Sequence, residues 1–113
     1  MEAVQLSQDL SARLEVALGR IVELARPRLV ILFGSHAEGR AHGDSDLDLL
    51  VVADTPSWHS LSVTLRKALR PLLRPLPFDL LVYTPDAWEH DRRMIGFVAQ
   101  DADLRGVRLY EAA

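Results

Sequence analysis

The chain has 113 residues, a hydrophobic fraction of 49%, a charged fraction of 26% and a formal net charge of −3. That size predicts a single domain over 1–113, the composition excludes disordered and fibrous classes, and the negative balance leaves no surplus for non-specific nucleic-acid binding. Cysteine is absent, which excludes disulfides and thiolate zinc sites, so any metal must be held by oxygen or imidazole.

The first residues show no basic segment followed by an apolar stretch, and no apolar run is long enough to cross a bilayer. A cytoplasmic protein with no membrane partner is the expectation. From Ser7 to Ala25, Leu10, Leu14, Ala17, Leu18, Ile21 and Val22 recur at helical spacing until Pro27 stops the pattern. Leu29 to Phe33 (LVILF) is a continuous apolar run closed by glycine, which predicts a strand buried on both faces. The glycine-containing stretch from Gly34 to Ser45 has no apolar periodicity and reads as a functional turn with room for one helical turn.

Leu47 to Val52 predicts a second buried strand, opened by Ser45, Asp46 and Asp48. Ser57 to Leu73 carries Leu61, Leu65, Ala68, Leu69 and Leu72 on one face, a second long helix that the prolines at 71 and 75 should end. Phe78 to Tyr83 is a third strand. Thr84, Pro85 and Asp86 have the order of a cap, a first-turn proline and a first-turn acid, so a third helix should begin there and run to about Ala102. Gly106 then frees the chain for a last strand, Val107 to Tyr110. This alternation predicts an α/β fold, a small mixed sheet flanked by helices, with residues 1 to 5 and the last two alanines frayed.

The chemistry lies in carboxylates placed where strands meet solvent. Asp46 and Asp48 are two apart, so an extended chain points them the same way, and a like-charged pair calls for a cation. Hard oxygen donors suit magnesium or manganese. Asp79 stands inside the apolar run FDLLV, and if the third strand lies beside the second, the three acids converge. Gly34, Ser35 and Gly39 supply a tight turn whose backbone N–H groups and hydroxyl can face an anion. A phosphate cradle beside a carboxylate cluster is suited to two-metal phosphoryl or nucleotidyl transfer.

The stretch GSHAEGRAHGDSDLDLLVV resembles the signature of the DNA polymerase β nucleotidyltransferase superfamily in Gly34, Ser35, Ser45, Asp46 and Asp48, with Asp79 where that family keeps its third carboxylate. Length, leading helix and ending are similar to its minimal nucleotidyltransferase group, often paired with a HEPN-domain protein. The resemblance implies that Asp46, Asp48 and Asp79 are catalytic and hold two Mg2+ ions, or Mn2+, and that Asp79 helps deprotonate the attacking hydroxyl. It implies a nucleotide-binding set of Gly34, Ser35, Gly39, Arg40 and Ser45, with ATP as substrate. Relatives commonly carry a basic residue where this chain has His36 and Glu38; Glu38 should repel a triphosphate, and Arg40 is the nearest replacement cation.

The implied reaction is transfer of AMP from ATP to a tyrosine of a HEPN toxin, with this chain as the antitoxin in a hetero-oligomer or homo-oligomer. Two alternatives stand beside it: an antitoxin with a degenerate site that acts by binding alone, and one subunit of a two-part transferase for an aminoglycoside-like molecule. His36 and His42 are left out of the catalytic set. Trp58, Tyr83, Trp88, Phe97 and Tyr110 are read as core or partner packing. Arg66, Lys67, Arg70 and Arg74, and again Arg92 and Arg93, are read as a solvated face or a dock for an acidic partner.

Overall fold

The protein is described by a computed structural model over residues 7–42 and 45–113; the frayed start expected for residues 1 to 5 lies outside the described residues. Helix α1 (Gln8–Ala25) begins at the N-cap Ser7, whose hydroxyl oxygen accepts from the Leu10 N–H, and ends with Arg26 in the left-handed region. Strands β1 (Leu29–Phe33) and β2 (Leu47–Val52) follow as their apolar runs dictate. Helix α2 (Trp58–Leu73) starts at the N-cap Ser57. It does not stop at Pro71: the Arg74 N–H still donates to the Arg70 carbonyl at 3.0 Å. Burial of Leu65, Leu69 and Leu73 carries the helix past the proline, and Arg13 of α1 donates to the carbonyls of Leu73 and Arg74 at its end.

Strand β3 (Phe78–Tyr83) leads through the capping Thr84 into α3 (Pro85–Asp91). The expected single helix to Ala102 is two helices, because Gly96 takes a φ of 87° and α4 (Val98–Arg105) starts afresh after it. Gly106 has an ordinary backbone conformation; a Cβ there would lie 2.4 Å from the Ala102 carbonyl oxygen and from Ile31, so space, not freedom, requires the glycine. Strand β4 (Val107–Glu111) ends the fold.

The sheet order is β3-β2-β1-β4, with β2 and β3 parallel and the other pairs antiparallel. Alternate residues feed two cores. On one face Val30, Leu32, Leu47, Leu49, Val51 and Leu80 pack beneath α1 and α2. On the other, Leu29, Ile31, Phe33, Leu50 and Val52 pack against Trp88 of α3 and Ala99 and Ala102 of α4. Asp48 alternates with Leu50 and Val52, which places it on the α3/α4 face, at the strand end where the Gly34 turn departs. No described helix is long and apolar enough to cross a membrane.

Candidate active site

Gly34 closes β1 with a φ of 77°, a conformation that disfavours any residue with a side chain. The turn after it is drawn in by the Glu38 N–H donating to the Gly34 carbonyl at 3.1 Å and the Arg40 N–H donating to the Ser35 carbonyl at 2.9 Å, and Gly39 supplies a second positive φ of 74°. A Cβ on Gly34 would stand 2.3 Å from Oδ2 of Asp48. The missing side chain is therefore what lets the turn and the acid share one place. Buried His36 donates from Nε2 to the Ser45 carbonyl at 3.1 Å, tying the turn to the start of β2. Ser45 in turn accepts from the His42 N–H through its hydroxyl oxygen, so it closes the loop.

The parallel register sets Asp48 directly beside Asp79, and Asp46 lies just before β2. Burial, then the charges of Asp79 and Asp46, push the Asp48 carboxyl above its usual range, with only His36 acting the other way. The three acids therefore repel one another at this strand end. Asp79 has a counter-ion: its Oδ1 accepts from Nη2 of Arg66 at 3.2 Å and from the Leu80 N–H at 2.9 Å. Arg66 also donates to the Leu80 carbonyl and the Ser62 hydroxyl. Among the described residues, no three acids or imidazoles stand close enough together to grip one cation. Oxygen-only donors under mutual repulsion fit a hard divalent ion at Asp46 and Asp48.

A cleft of about 480 Å³ opens beside Gly34, between Glu38 and Arg40 on one wall and Phe97, Val98, Leu104 and Arg105 on the other. Arg40 is not a free cation for phosphate, since it pairs with Glu38 at 3.3 Å, and Arg105 pairs with Asp101 at 3.1 Å. Arg92 and Arg93 are likewise paired within the chain, to Glu89, and Arg92 also to Asp103. Their hydrogen bonds hold the Glu89 carboxyl down to about 2.

Gly34, Ser35, Asp46, Asp48 and Asp79 thus gather at one end of β1, β2 and β3, while Gly39, Arg40 and Ser45 shape the turn beside them. Sequence reading passed over Arg66, which looked like one of a row of solvated basic residues. Only its four-residue spacing from Ser62 hinted at an anchored side chain.

The model of the nucleotidyltransferase domain family matches residues 14–105. A solved minimal nucleotidyltransferase is 28% identical, with a TM-score of 0.61 over 87% of this chain and 90% of that one. A toxin–antitoxin structure with AMP-PNP shares the fold at 23% identity and a TM-score of 0.55, over 87% of this chain and 73% of that one. A nucleotidyltransferase from Sulfolobus solfataricus does so at 17% identity and 0.53, over 97% and 93%. No curated protein sequence matches significantly. With the glycine turn, the spaced aspartates and the family match on the same stretch of chain, the protein belongs to the nucleotidyltransferase domain family.

Proposed function

We propose that this chain is a magnesium-dependent adenylyltransferase that moves AMP from ATP to a tyrosine hydroxyl of a HEPN-domain partner in the cytoplasm, and so serves as the antitoxin of the pair. The observation that carries the reading is the abutment of the Gly34 turn on Asp48, which puts the glycine–serine turn and the carboxylate cluster at one point. The shared fold of a toxin–antitoxin structure with AMP-PNP supports the nucleotide and the kind of partner.

In this reading Gly34 and Ser35 orient the phosphates of ATP, and Asp46 and Asp48, with Asp79, hold Mg2+. The bound cation supplies charge neutralisation at the phosphates. The attacking oxygen bonds to the α-phosphorus, the α–β phosphoanhydride bond breaks, pyrophosphate leaves, and Asp79 accepts the hydroxyl proton. The exposed apolar residues Ile95, Phe97, Val98 and Leu104 beside the cleft give an acceptor protein a surface to rest on. A second reading, inhibition by binding alone, is favoured by the Glu38–Arg40 pair, which occupies the cation nearest the turn.

Intact-mass spectrometry of a HEPN partner incubated with ATP, magnesium and this chain decides between them. Addition of one AMP by wild type and none by Asp79→Asn is the expected result. Equal neutralisation by both, with no added mass, would leave binding as the whole activity.

A further inference from the structure

Arg66 sits on α2, the helix over one face of the sheet, yet its guanidinium rounds the open β3 edge to an acid of the other face. Its Nε donates to Oγ of buried Ser62 at 3.2 Å, and its Nη2 to the Leu80 carbonyl at 2.6 Å. These two anchors belong to α2 and to the β3 backbone, so the cation's position is fixed without Asp79, and Asp79 turns to meet it. Asp48 is the neighbour of Asp79 in register, so the guanidinium is the positive group that faces this pair of acids from α2.

Resting on the magnesium-dependent reading above, we propose that Arg66 is a positioning residue: the counter-ion that pairs with Asp79 and that Asp79 would have to release to serve as the third metal ligand. Asp46 and Asp48 would hold a divalent cation, whose charge would attract Asp79 where the two acids alone repel it, so that the Asp79 side chain would exchange one positive partner for another. Arg66 would then compete with the metal for Asp79, the last of the three carboxylates to engage.

The test is calorimetric titration of the whole chain with Mn2+, in wild type, Arg66→Gln and Arg66→Ala, each with and without Asp79→Asn, with circular dichroism to confirm folding. Arg66→Gln keeps the aliphatic stem and an amide donor where Nε meets the Ser62 hydroxyl, so a folded comparison exists even where Ala is not tolerated. Loss of the competing charge should tighten Mn2+ binding by about three- to tenfold, and the gain should vanish when Asp79 is Asn. Equal or weaker binding in Arg66→Gln overturns the proposal while leaving the metal reading intact, and so does a gain that survives in Asp79→Asn, which would reflect through-space charge alone. Wild-type chain that binds no Mn2+ would overturn both.

Discussion

Asp48 combines partial burial with two acidic neighbours, and the folded protein consequently favours its protonated form. That preference stabilises the fold fully below the ordinary aspartate value of about 3.9 and is lost as pH rises through the higher folded value. In the absence of divalent cations, Asp48→Asn should therefore melt above wild type at neutral pH, and the gap should close as the pH approaches about 4; thermal unfolding across that range checks it. Gly34→Ala should do the opposite. It forces a side chain into a positive φ and onto the Asp48 carboxylate, with an expected loss of about 1–3 kcal/mol in chemical denaturation and of magnesium-dependent ATP binding. Glu38→Gln frees Arg40 from its ion pair and should tighten ATP binding by about 1 kcal/mol, measured by titration calorimetry. These residues were legible in the sequence only in combination: glycine, serine and aspartate each favour ordinary turns, and the spaced aspartates with a third acid inside an apolar strand set them apart. Arg66 was not, since a contact between a helix and the strand that follows it is set by tertiary packing, and the spacing from Ser62 points to an anchored side chain without naming its acidic partner.

The strands were the most legible elements: LVILF, LDLLVV and FDLLVY are apolar runs with sharp ends, and each is a strand over the residues expected. Helix ends depended on competing effects. Ser7, Ser57 and Thr84 cap α1, α2 and α3 as their side chains predict. The second long helix ends at Leu73 as expected, with Pro71 inside it because buried leucines on the same helix outweigh one missing hydrogen bond, and Gly96 was passed over as a breaker because the surrounding residues remain helix-compatible. The seven-residue α3 is too short to be stable alone and depends on Trp88, which is buried on the sheet and meets Tyr83 edge-on with ring centroids 6.2 Å apart. Trp88→Ala should cost about 3–5 kcal/mol, seen as a lower denaturation midpoint.

The two faces of the sheet are unequal. One carries the long helices α1 and α2 over a broad core; the other carries two short helices over a smaller one, and the cleft opens on that second side. Local opening should follow the same inequality. Amide hydrogen exchange under native conditions should be slowest in β1 and β2 and faster in α3 and α4, and equal protection of all four would contradict the layered account. The thin layer is also where exposed Ile95, Phe97 and Leu104 lie, so the surface proposed above for an acceptor belongs to the part of the molecule with the least holding it.

The parallel pairing of β2 with β3 governs the order in which the site comes into being. Strands β1 and β2 are neighbours in sequence and can pair as soon as both have been synthesised, bringing the Gly34 turn up to Asp48. Asp79 waits until the whole of α2 has been translated and has crossed back over the sheet, because parallel strands cannot be joined by a short turn. Such non-local pairing is slow to form. In a chain still emerging from the ribosome the Gly34 turn, Asp46 and Asp48 are therefore available before Asp79, and Arg66 belongs to the same crossover that delivers Asp79, so that carboxylate arrives with its positive partner already at hand.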